Sequence, residues 1–321
     1  MAATATTAAA GAWATDGVFT IAGLGTSSGI DGDLNTGVLT PGSGEAWTPG
    51  ALVGRRMKLD AIWYAISAND ATTATITGPP ADATYTYLLG GVPIAGDIVS
   101  VAHAMTNDGA ATARIPPTAG TLASLDLAAA GGASPGLVVT GTVALLATTI
   151  TGLENLDDSG AAAMLTVTAT SANTTLNQGY ICAGTSIFSG TVTGGGPACA
   201  AVGVYVSGTM TSATATGTSD SGFGVEVAGT STGDLVGTSN SDYGVAISAG
   251  NVMADNITAQ STSEIAFHDN NGTLTESTGA AGVNLSVRRL DGGQALELQA
   301  TTISDELKIT YVSNPTVPLV I

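Results

Sequence analysis

The sequence predicts an all-β protein built around a parallel β-solenoid, with an N-terminal β module and a C-terminal antiparallel β cap. Three observations lead to this prediction. Short runs of Thr, Val and Ile, which favour extended backbone, occur throughout the 321 residues. Gly, Asn, Asp and Ser recur between these runs as turn formers, and we identify no amphipathic helix. One short motif also recurs at a nearly constant interval, as expected for a repeat architecture.

The recurring motif is Gly-x-x-Val-x-Gly-Thr. Its clearest copies begin at Gly203, Gly224 and, more loosely, Gly244. Their starts differ by about 20 residues, which is a typical solenoid period. Alternate side chains of each short strand would point inward, and stacked coils would pair their backbones as a parallel sheet. The sequence therefore predicts that Val206, Val227 and Ile247 form one internal column.

The repeat extends upstream, so the solenoid is predicted to span residues 91–280. Copies that fit the same frame begin at Gly136 and Gly179, and a weaker copy begins at Gly91. A second marker, Gly-Thr-Ser-x-Ser, begins at Gly217 and returns at Gly237 in the same register. Alternation of Val and Thr also fits an antiparallel sandwich, but a sandwich does not require a fixed register of about 20 residues. We therefore favour the solenoid.

Residues 1–90 are predicted to form an N-terminal arm and a separate β module. Three segments carry the β character, at residues 57–66, 73–77 and 84–88. The first is longer and more aromatic than any later strand, and Gly78-Pro79-Pro80 separates the other two as a hard break. The segment before about Gly50 is compatible with an arm or with extra coils.

Residues 281–321 are predicted to form an antiparallel meander that caps the last coil. Apolar and polar side chains alternate in residues 283–288, 295–299 and 307–312. Asp291-Gly292-Gly293 between the first two segments is typical of a hairpin turn. A solenoid needs such a cap because an exposed sheet edge invites pairing with other chains. The apolar residues 317–321 are costly to leave in water, so we expect them to pack against a neighbouring subunit of a symmetric oligomer.

The chain is strongly acidic, with 7 Lys and Arg residues against 25 Asp and Glu residues and a net charge of -18. Such a charge repels phosphate backbones and anionic membrane surfaces, so we expect no nucleic-acid partner and no membrane insertion. Apolar runs are far shorter than the roughly 20 residues of a spanning helix. The first residues lack the basic start and apolar stretch of a secretory signal. We therefore expect a soluble protein made without a signal peptide.

Cleavage of a polysaccharide would need two carboxylates that face one cleft, about 5–9.5 Å apart. The candidates are Asp220, Glu226, Asp234 and Asp242, and the acidic turn of Glu154, Asp157 and Asp158. Asp220 and Asn240 occupy equivalent turn positions, where such side chains commonly cap the backbone. We therefore interpret these acidic residues as turn-capping and solvated groups, and we assign no catalytic residue.

No cofactor or metal site is assigned. Residues 31–35 alternate oxygen ligands like a calcium loop, but the later Gly and Glu of such a loop are missing, so an ordinary turn is favoured. His103 and His268 have no Cys or His at zinc spacing, and we interpret them as surface or packing residues. Cys182 occupies the buried valine position of its repeat, which indicates an inert thiol, and its pairing with Cys199 stays open.

Thr-x-Thr pairs recur, and ranks of Thr on a flat solenoid face could order water as ice-binding proteins do. The pairs are Thr75/Thr77, Thr166/Thr168, Thr191/Thr193, Thr209/Thr211, Thr230/Thr232 and Thr273/Thr275. In the repeat register, only the pairs at Thr209 and Thr230 align. Because Thr is also a good exposed strand residue, we interpret the pairs as ordinary strand surface.

The run Gly-Val-x-Val-x-Gly-Thr at Gly203 and Gly224 resembles rungs of right-handed parallel β-helices in phage tailspikes and tail fibres, pectate-lyase-like proteins and adhesins. The resemblance covers about half of the chain. It implies a β-helical rod, whereas a fold by itself does not fix an activity. Within this group, the missing export signal, the acidic surface and the distinct end modules favour a virion component.

We therefore expect a non-enzymatic bacteriophage structural protein, namely a tail fibre, spike or capsid decoration on the virion surface. The expected partners are further copies of the chain in a homotrimer, other virion proteins, and a host-surface glycan that Tyr205 and Tyr243 could touch. Two alternatives stay open. One is a glycan-cleaving tailspike enzyme, and the other is an extracellular adhesin or ice-binding solenoid.

Overall fold

The computed structural model describes most of the chain. The described residues are 3–25, 28–42, 45–107, 112–116, 119–127, 136–159, 164–169, 171–173, 179–275, 283–291, 295–299, 301–303 and 306–311. Outside an antiparallel N-terminal module, they form strands that stack as parallel coils, with a 3-10 turn at Leu153–Asn155. The predicted all-β solenoid is therefore confirmed.

Each coil contributes one strand to each of three faces. Face 1 contains β1 (Thr4–Thr7), β10 (Ile98–Ser100), β13 (Leu122–Asp126), β18 (Ser171–Asn173), β21 (Thr191–Gly195), β28 (Asn256–Ser261), β31 (Val283–Arg289) and β34 (Leu307–Tyr311). Face 2 contains β2 (Gly11–Ala12), β11 (Met105–Thr106), β14 (Leu137–Val138), β16 (Leu156–Asp157), β19 (Tyr180–Cys182), β22 (Val204–Val206), β24 (Val225–Val227), β26 (Val245–Ile247), β29 (Phe267–Asn270) and β32 (Leu296–Gln299). Face 3 contains β12 (Thr112–Ile115), β17 (Met164–Thr168), β20 (Thr185–Phe188), β27 (Asn251–Met253), β30 (Thr273–Thr275) and β33 (Thr302–Ile303).

Three long strands turn the corner between two faces. They are β15 (Thr142–Thr151), β23 (Thr209–Ser219) and β25 (Thr230–Ser239). Their first halves pair within face 3, and their second halves pair within face 1. The coil therefore runs from face 1 through corner A to face 2, through corner B to face 3, and through corner C back to face 1.

The predicted internal column is confirmed on face 2. Val206 pairs with Val227, and Val227 pairs with Ile247, in parallel register. All three side chains are at most 1% exposed. Because strand residues alternate between the two sides of a sheet, a constant register places each of these side chains above the last. The column continues to Cys182 on one side and to Asp269 on the other, which places a carboxyl group in the core.

A ladder of buried serines holds corner A. Ser219, Ser239 and Ser261 align in consecutive coils, and each is at most 1% exposed. Each hydroxyl accepts a hydrogen bond from the backbone N–H three residues later, at 2.8–3.0 Å. Each also donates to a main-chain carbonyl oxygen of the preceding coil, at 2.6–2.8 Å. These bonds satisfy turn groups that the sheet leaves unpaired, which explains the recurring Ser of the second sequence marker.

The N-terminal β module is antiparallel. Its strands are β3 (Phe19–Ala22), β4 (Ser28–Asn35), β5 (Val38–Thr40), β6 (Arg56–Leu59), β7 (Ile62–Asn69), β8 (Ala74–Thr77) and β9 (Ala83–Gly90). The strands before the module, β1 and β2, pair in parallel with β10 and β11, so they form a first coil rather than an arm. Strand β3 pairs antiparallel with β1. The module therefore covers the open edge of the first coil, as sheet edges require.

A buried ion pair ties the module to the solenoid. The guanidinium of Arg55 donates to both carboxylate oxygens of Asp97, at 2.8 and 2.6 Å. The two side chains are 2% and 1% exposed. Arg55 directly precedes β6, and Asp97 directly precedes β10. Since two parallel hydrogen bonds also restrict orientation, the pair fixes how the module sits on the coils.

The predicted C-terminal antiparallel meander is wrong. Strand β31 pairs in parallel with β28 and β34, and β32 pairs in parallel with β29. These strands are further coils. Alternation of apolar and polar residues has the same period of two in parallel and antiparallel strands, so it did not distinguish the two pairings. Asp291 lies at corner A, where its N–H donates to Thr262 O, and residues 292–293 and 312–321 lie outside the described residues.

Candidate functional site

Two of the candidate carboxylates bind neighbouring coils at separate places. Glu226 lies on face 2 and accepts a hydrogen bond from the Ser248 hydroxyl at 2.7 Å. Asp234 lies on face 1 directly after corner C, where it accepts the N–H of Asn256 at 2.8 Å and the Asn256 side-chain amide at 2.9 Å. The face 3 part of β25 lies between the two carboxylates along the coil. Glu226 and Asp234 therefore do not face one cleft.

Asp220 belongs to a ladder of side chains at corner A. The Asn240 amide donates to Asp220 at 2.9 Å, and the Thr262 hydroxyl donates to Asn240 at 3.3 Å. The predicted equivalence of Asp220 and Asn240 is confirmed, because the serines directly before them pair in register. Asp220 was predicted to cap the backbone of its turn. Its side chain instead accepts a hydrogen bond from the Asn240 side chain of the adjacent coil.

The acidic turn contains a buried carboxylate, which corrects its interpretation as solvated. Asp158 is 1% exposed and accepts hydrogen bonds from the N–H groups of Ala183 and Gly184, at 2.9 and 3.3 Å. It also accepts from the hydroxyls of Ser186 and Tyr180. Within the described residues, no backbone pairing joins β16 to β19 on face 2. Asp158 therefore connects two coils where the strand ladder is interrupted.

Both cysteines are buried and free, which answers the open question of their pairing. Burial raises the pKa of the Cys182 thiol to about 12, and the nearby charge of Asp158 acts in the same direction. Because the thiolate is the reactive form, Cys182 is inert, as its place in the valine column predicted.

The weak calcium motif does not form a turn. Asp33, Leu34 and Asn35 lie in β4 and pair with β5, and the turn follows at Thr36 and Gly37, where φ is positive. The side chain of Asp31 lies outside the described residues. Over the described part of the chain, no group of three or more His, Cys, Asp or Glu side chains is arranged to hold a metal ion.

An aromatic ladder crosses corner A next to face 2. The rings of Phe223 and Tyr243 stack with centroids 5.3 Å apart and an interplanar angle of 5°. The His268 imidazole meets Tyr243 edge-on at 4.6 Å. Phe223 and Tyr243 each lie two residues before valines that pair in register, Val225 and Val245. The coil spacing of about 4.8 Å therefore brings their rings into contact.

Three carboxylates surround this ladder. Burial raises the pKa of Asp242, and the charge of Glu264 raises it further, against opposing effects of the Tyr243 N–H and of His268. Burial also raises the pKa of Tyr243, reinforced by Asp242, Glu297 and Glu264. We define Phe223, Asp242, Tyr243, Glu264, His268 and Glu297 as the corner cluster.

Cations are scarce around the corner cluster, and the nearest described one, Arg289, donates to the Ser263 carbonyl oxygen beside Glu264. The sequence contains no Lys or Arg between Arg114 and Arg288. Arg289, at the same corner one coil later, is paired with Asp291 at 2.5 Å. The cluster therefore combines aromatic surface, hydrogen-bond acceptors and a negative charge, which suits a ligand with hydroxyl or cationic groups.

Sequence reasoning named Asp242, Tyr243 and His268 separately and missed Glu264 and Glu297. Glu264 had a signal, because Ser-x-Ser-acid occurs at residues 239–242 and again at residues 261–264. Glu297 pairs with His268 across face 2, but its coil is longer than the repeat. A register of about 20 residues could not have placed Glu297 there. His103, the other histidine, contacts the Thr7 hydroxyl through Nδ1 at 3.2 Å, far along the chain from this cluster.

The predicted register of the Thr pairs is also corrected. On face 3, Thr273/Thr275 continues the columns of Thr209/Thr211 and Thr230/Thr232 across the coil that contains Asn251 and Met253. On face 1, Thr191/Thr193 aligns with Thr214/Thr216. The corners differ in length between coils, so a search with one fixed repeat length did not find this alignment.

Comparison with known proteins found no match among family models, curated proteins or solved structures. Over the described residues, the chain has no helix with the length and apolar character needed to cross a membrane.

Proposed function

We propose that this chain is a non-enzymatic structural protein that forms a rigid projection on the surface of a bacteriophage particle. The observation that supports this most is the unbroken register of face 1 from β1 to β34. With strands about 4.8 Å apart, this face extends for roughly 50 Å. Each coil is bonded to both neighbours through its backbone, so bending or local opening requires breaking several hydrogen bonds at once.

The two ends of this rod have different roles in the proposal. The N-terminal module, fixed by the Arg55–Asp97 pair, attaches to other virion proteins. The solenoid projects from the particle as part of a homotrimer and presents its side surfaces to the host. The particle class and the subunit number follow from the resemblance to phage β-helices described above.

The corner cluster is the proposed contact with a host-surface glycan. The Tyr243 and Phe223 rings supply apolar surface for the C–H face of a sugar, and Asp242, Glu264 and Glu297 supply acceptors for sugar hydroxyls. Several weak contacts of this kind on each subunit add up through avidity in an oligomer.

Electron microscopy of purified particles tests the location. An antibody against the solenoid should label thin projections on the phage surface, and the chain should be absent from the medium as free protein. Detection of the chain only as free secreted protein would reject the virion assignment in favour of an extracellular adhesin.

Glycan binding tests the corner cluster separately. On an array of host-surface glycans, we expect Tyr243→Ala to reduce binding at least tenfold and Tyr205→Ala to leave it nearly unchanged. Of the two tyrosines expected to touch a glycan, the proposal retains Tyr243. Tyr205 becomes the matched control, because it is half-buried on face 2 outside the corner cluster. Equal losses from both variants would contradict a contact at the corner.

A second candidate function is cleavage of the glycan. It is favoured by one observation, namely that Asp242 has a raised pKa and lies next to Glu264 of the following coil. A carboxyl group with a raised pKa beside a second carboxylate is the arrangement that glycoside hydrolysis uses. Release of reducing sugar by the wild type, and its loss in Asp242→Asn, would establish this activity. No release from the glycan that the protein binds would reject it.

A further inference from the structure

From β15 to β33, face 3 presents an uncharged outer surface, which Arg114 of β12 borders in the column of Ala144. From β15 to β33, one outward column contains Thr142, Thr185, Thr209, Thr230, Asn251, Thr273 and Thr302. The adjacent column contains Ala144, Thr166, Ile187, Thr211, Thr232, Met253 and Thr275. Over these described positions no Asp, Glu, Lys, Arg or His faces outward.

The other two faces carry charges on their outer sides. Face 2 presents Asp157, Glu226, His268 and Glu297, and face 1 presents Asp126, Asp234, Arg288 and Lys308. In four successive coils corner B extends this surface, because residues 207–208, 228–229, 248–250 and 270–272 are Ser, Gly, Ala and Asn. The Glu226 carboxylate, bonded to Ser248, marks its border with face 2. In a chain with a net charge of -18, this surface is where two copies can approach with the least repulsion.

The surface also has the composition and size of a contact area. Ile187 and Met253 project from it and are 37% and 43% exposed. Eight stacked strands about 4.8 Å apart give a length of about 34 Å, and a strand with its corner gives a width of about 20 Å. The resulting area, on the order of 700 Å², is close to the roughly 800 Å² that each partner buries in a stable interface.

We propose that face 3 together with corner B is the surface through which copies of this chain associate side by side. The inference rests on the proposed oligomeric projection and names the part of the rod that forms its interface. Threonine hydroxyls at the regular coil spacing bond to those of the neighbouring copy, while Ile187 and Met253 are removed from water.

Paired charge insertion tests the surface, with mass in solution as the readout. Thr211→Glu with Thr232→Glu places two carboxylates on adjacent coils of face 3. Thr218→Glu with Thr238→Glu places the same two groups on adjacent coils of face 1 and is the matched control. We expect wild type and control to run as multiples of the 31.2 kDa chain, and the face 3 variant to run as a monomer with an unchanged far-UV spectrum.

Cross-linking supplies a second readout that does not depend on lost stability. Under mild oxidation, Thr232→Cys should form disulfide-linked dimers and Thr238→Cys should not, since the native Cys182 and Cys199 are buried. An oligomeric face 3 variant, or equal cross-linking at both positions, would overturn the interface while leaving the projection intact. A monomeric wild type would overturn the oligomer as well as the interface. If that monomer adsorbed to ice or crystalline cellulose through face 3, the surface would be assigned to binding a solid lattice instead.

Discussion

Replacement of Asp158 with alanine removes the side chain that joins β16 and β19 across the interruption in face 2. The two backbone N–H groups at Ala183 and Gly184 lose their acceptor, and so does the Ser186 hydroxyl. The Tyr180 hydroxyl loses one of its two acceptors and keeps Ser186 Oγ at 3.3 Å. Ser186 and Tyr180 are fully buried, so the loss of the carboxylate leaves a polar group unpaired in the core. A hydrogen bond from a buried group to a charged acceptor contributes about 1.5–3 kcal/mol.

The expected loss follows from these contacts. The Ser186 bond counts fully. The Tyr180 bond counts at the low end because its hydroxyl keeps Ser186 as an acceptor, and so do the N–H bonds because Ala183 is exposed and Gly184 partly so. Release of a buried charge opposes part of the loss, so Asp158→Ala should lower the free energy of unfolding by about 3–5 kcal/mol. That is a large fraction of the roughly 5–15 kcal/mol by which a folded protein is typically stable.

Urea unfolding followed by far-UV circular dichroism measures this loss. Asp157→Ala is the matched control, because among the residues that the structure describes its carboxylate accepts only from the N–H and hydroxyl of exposed Ser159. The control should lose less than about 1 kcal/mol. Asp158→Asn, which keeps one acceptor oxygen for the N–H groups, should fall between the two. If Asp158→Ala unfolds at the wild-type midpoint, or the control loses as much, the assigned role of Asp158 is wrong.

Three further changes test the energetics of the fold. Burial raises the pKa of Asp269 above its ordinary value of 3.8, so the stability that its protonated carboxyl contributes is complete below that value and is lost as the pH rises through the raised pKa. Asp269→Asn should therefore make the urea midpoint less dependent on pH over that window. An unchanged pH profile would count against the buried carboxyl. Arg55→Met leaves Asp97 buried without its cationic partner and should lower the free energy of unfolding by about 3–5 kcal/mol. The double variant Arg55→Met with Asp97→Leu should recover most of this lost stability in the same assay. An absence of recovery would contradict the pairing. Gly237→Ala should lower the melting temperature by several degrees, because the new methyl would lie 2.0 Å from the Gly244 carbonyl oxygen. Gly54→Ala, whose methyl would meet no atom within 4 Å but whose φ is positive, should lower the melting temperature less. The reverse order would contradict the close packing of coils.

The sequence was sufficient for the central coils because their length is nearly constant. Val206, Val227 and Ile247 recur at one interval, and a constant interval with apolar alternate residues leads to a single stacked column. The same register predicted the equivalence of Asp220 and Asn240, and it contained the signal for Glu264. Burial of Cys182 followed from its place in the valine column.

The tertiary structure alone decided where coil length varies and where partners are far apart in sequence. Strand β1 finds β10 across the inserted module, and β31 stacks on β28 and β34 rather than folding back on β32. Alternation of apolar residues predicts which side of a strand is buried, but it does not predict which strand lies beside it. Parallel and antiparallel strands share the same period of two residues. The contacts of Asp158 and Glu297 could not be predicted either, because both residues lie in coils that depart from the repeat length. Pairing partners are chosen by contacts between distant segments, and these exist only once the chain has folded.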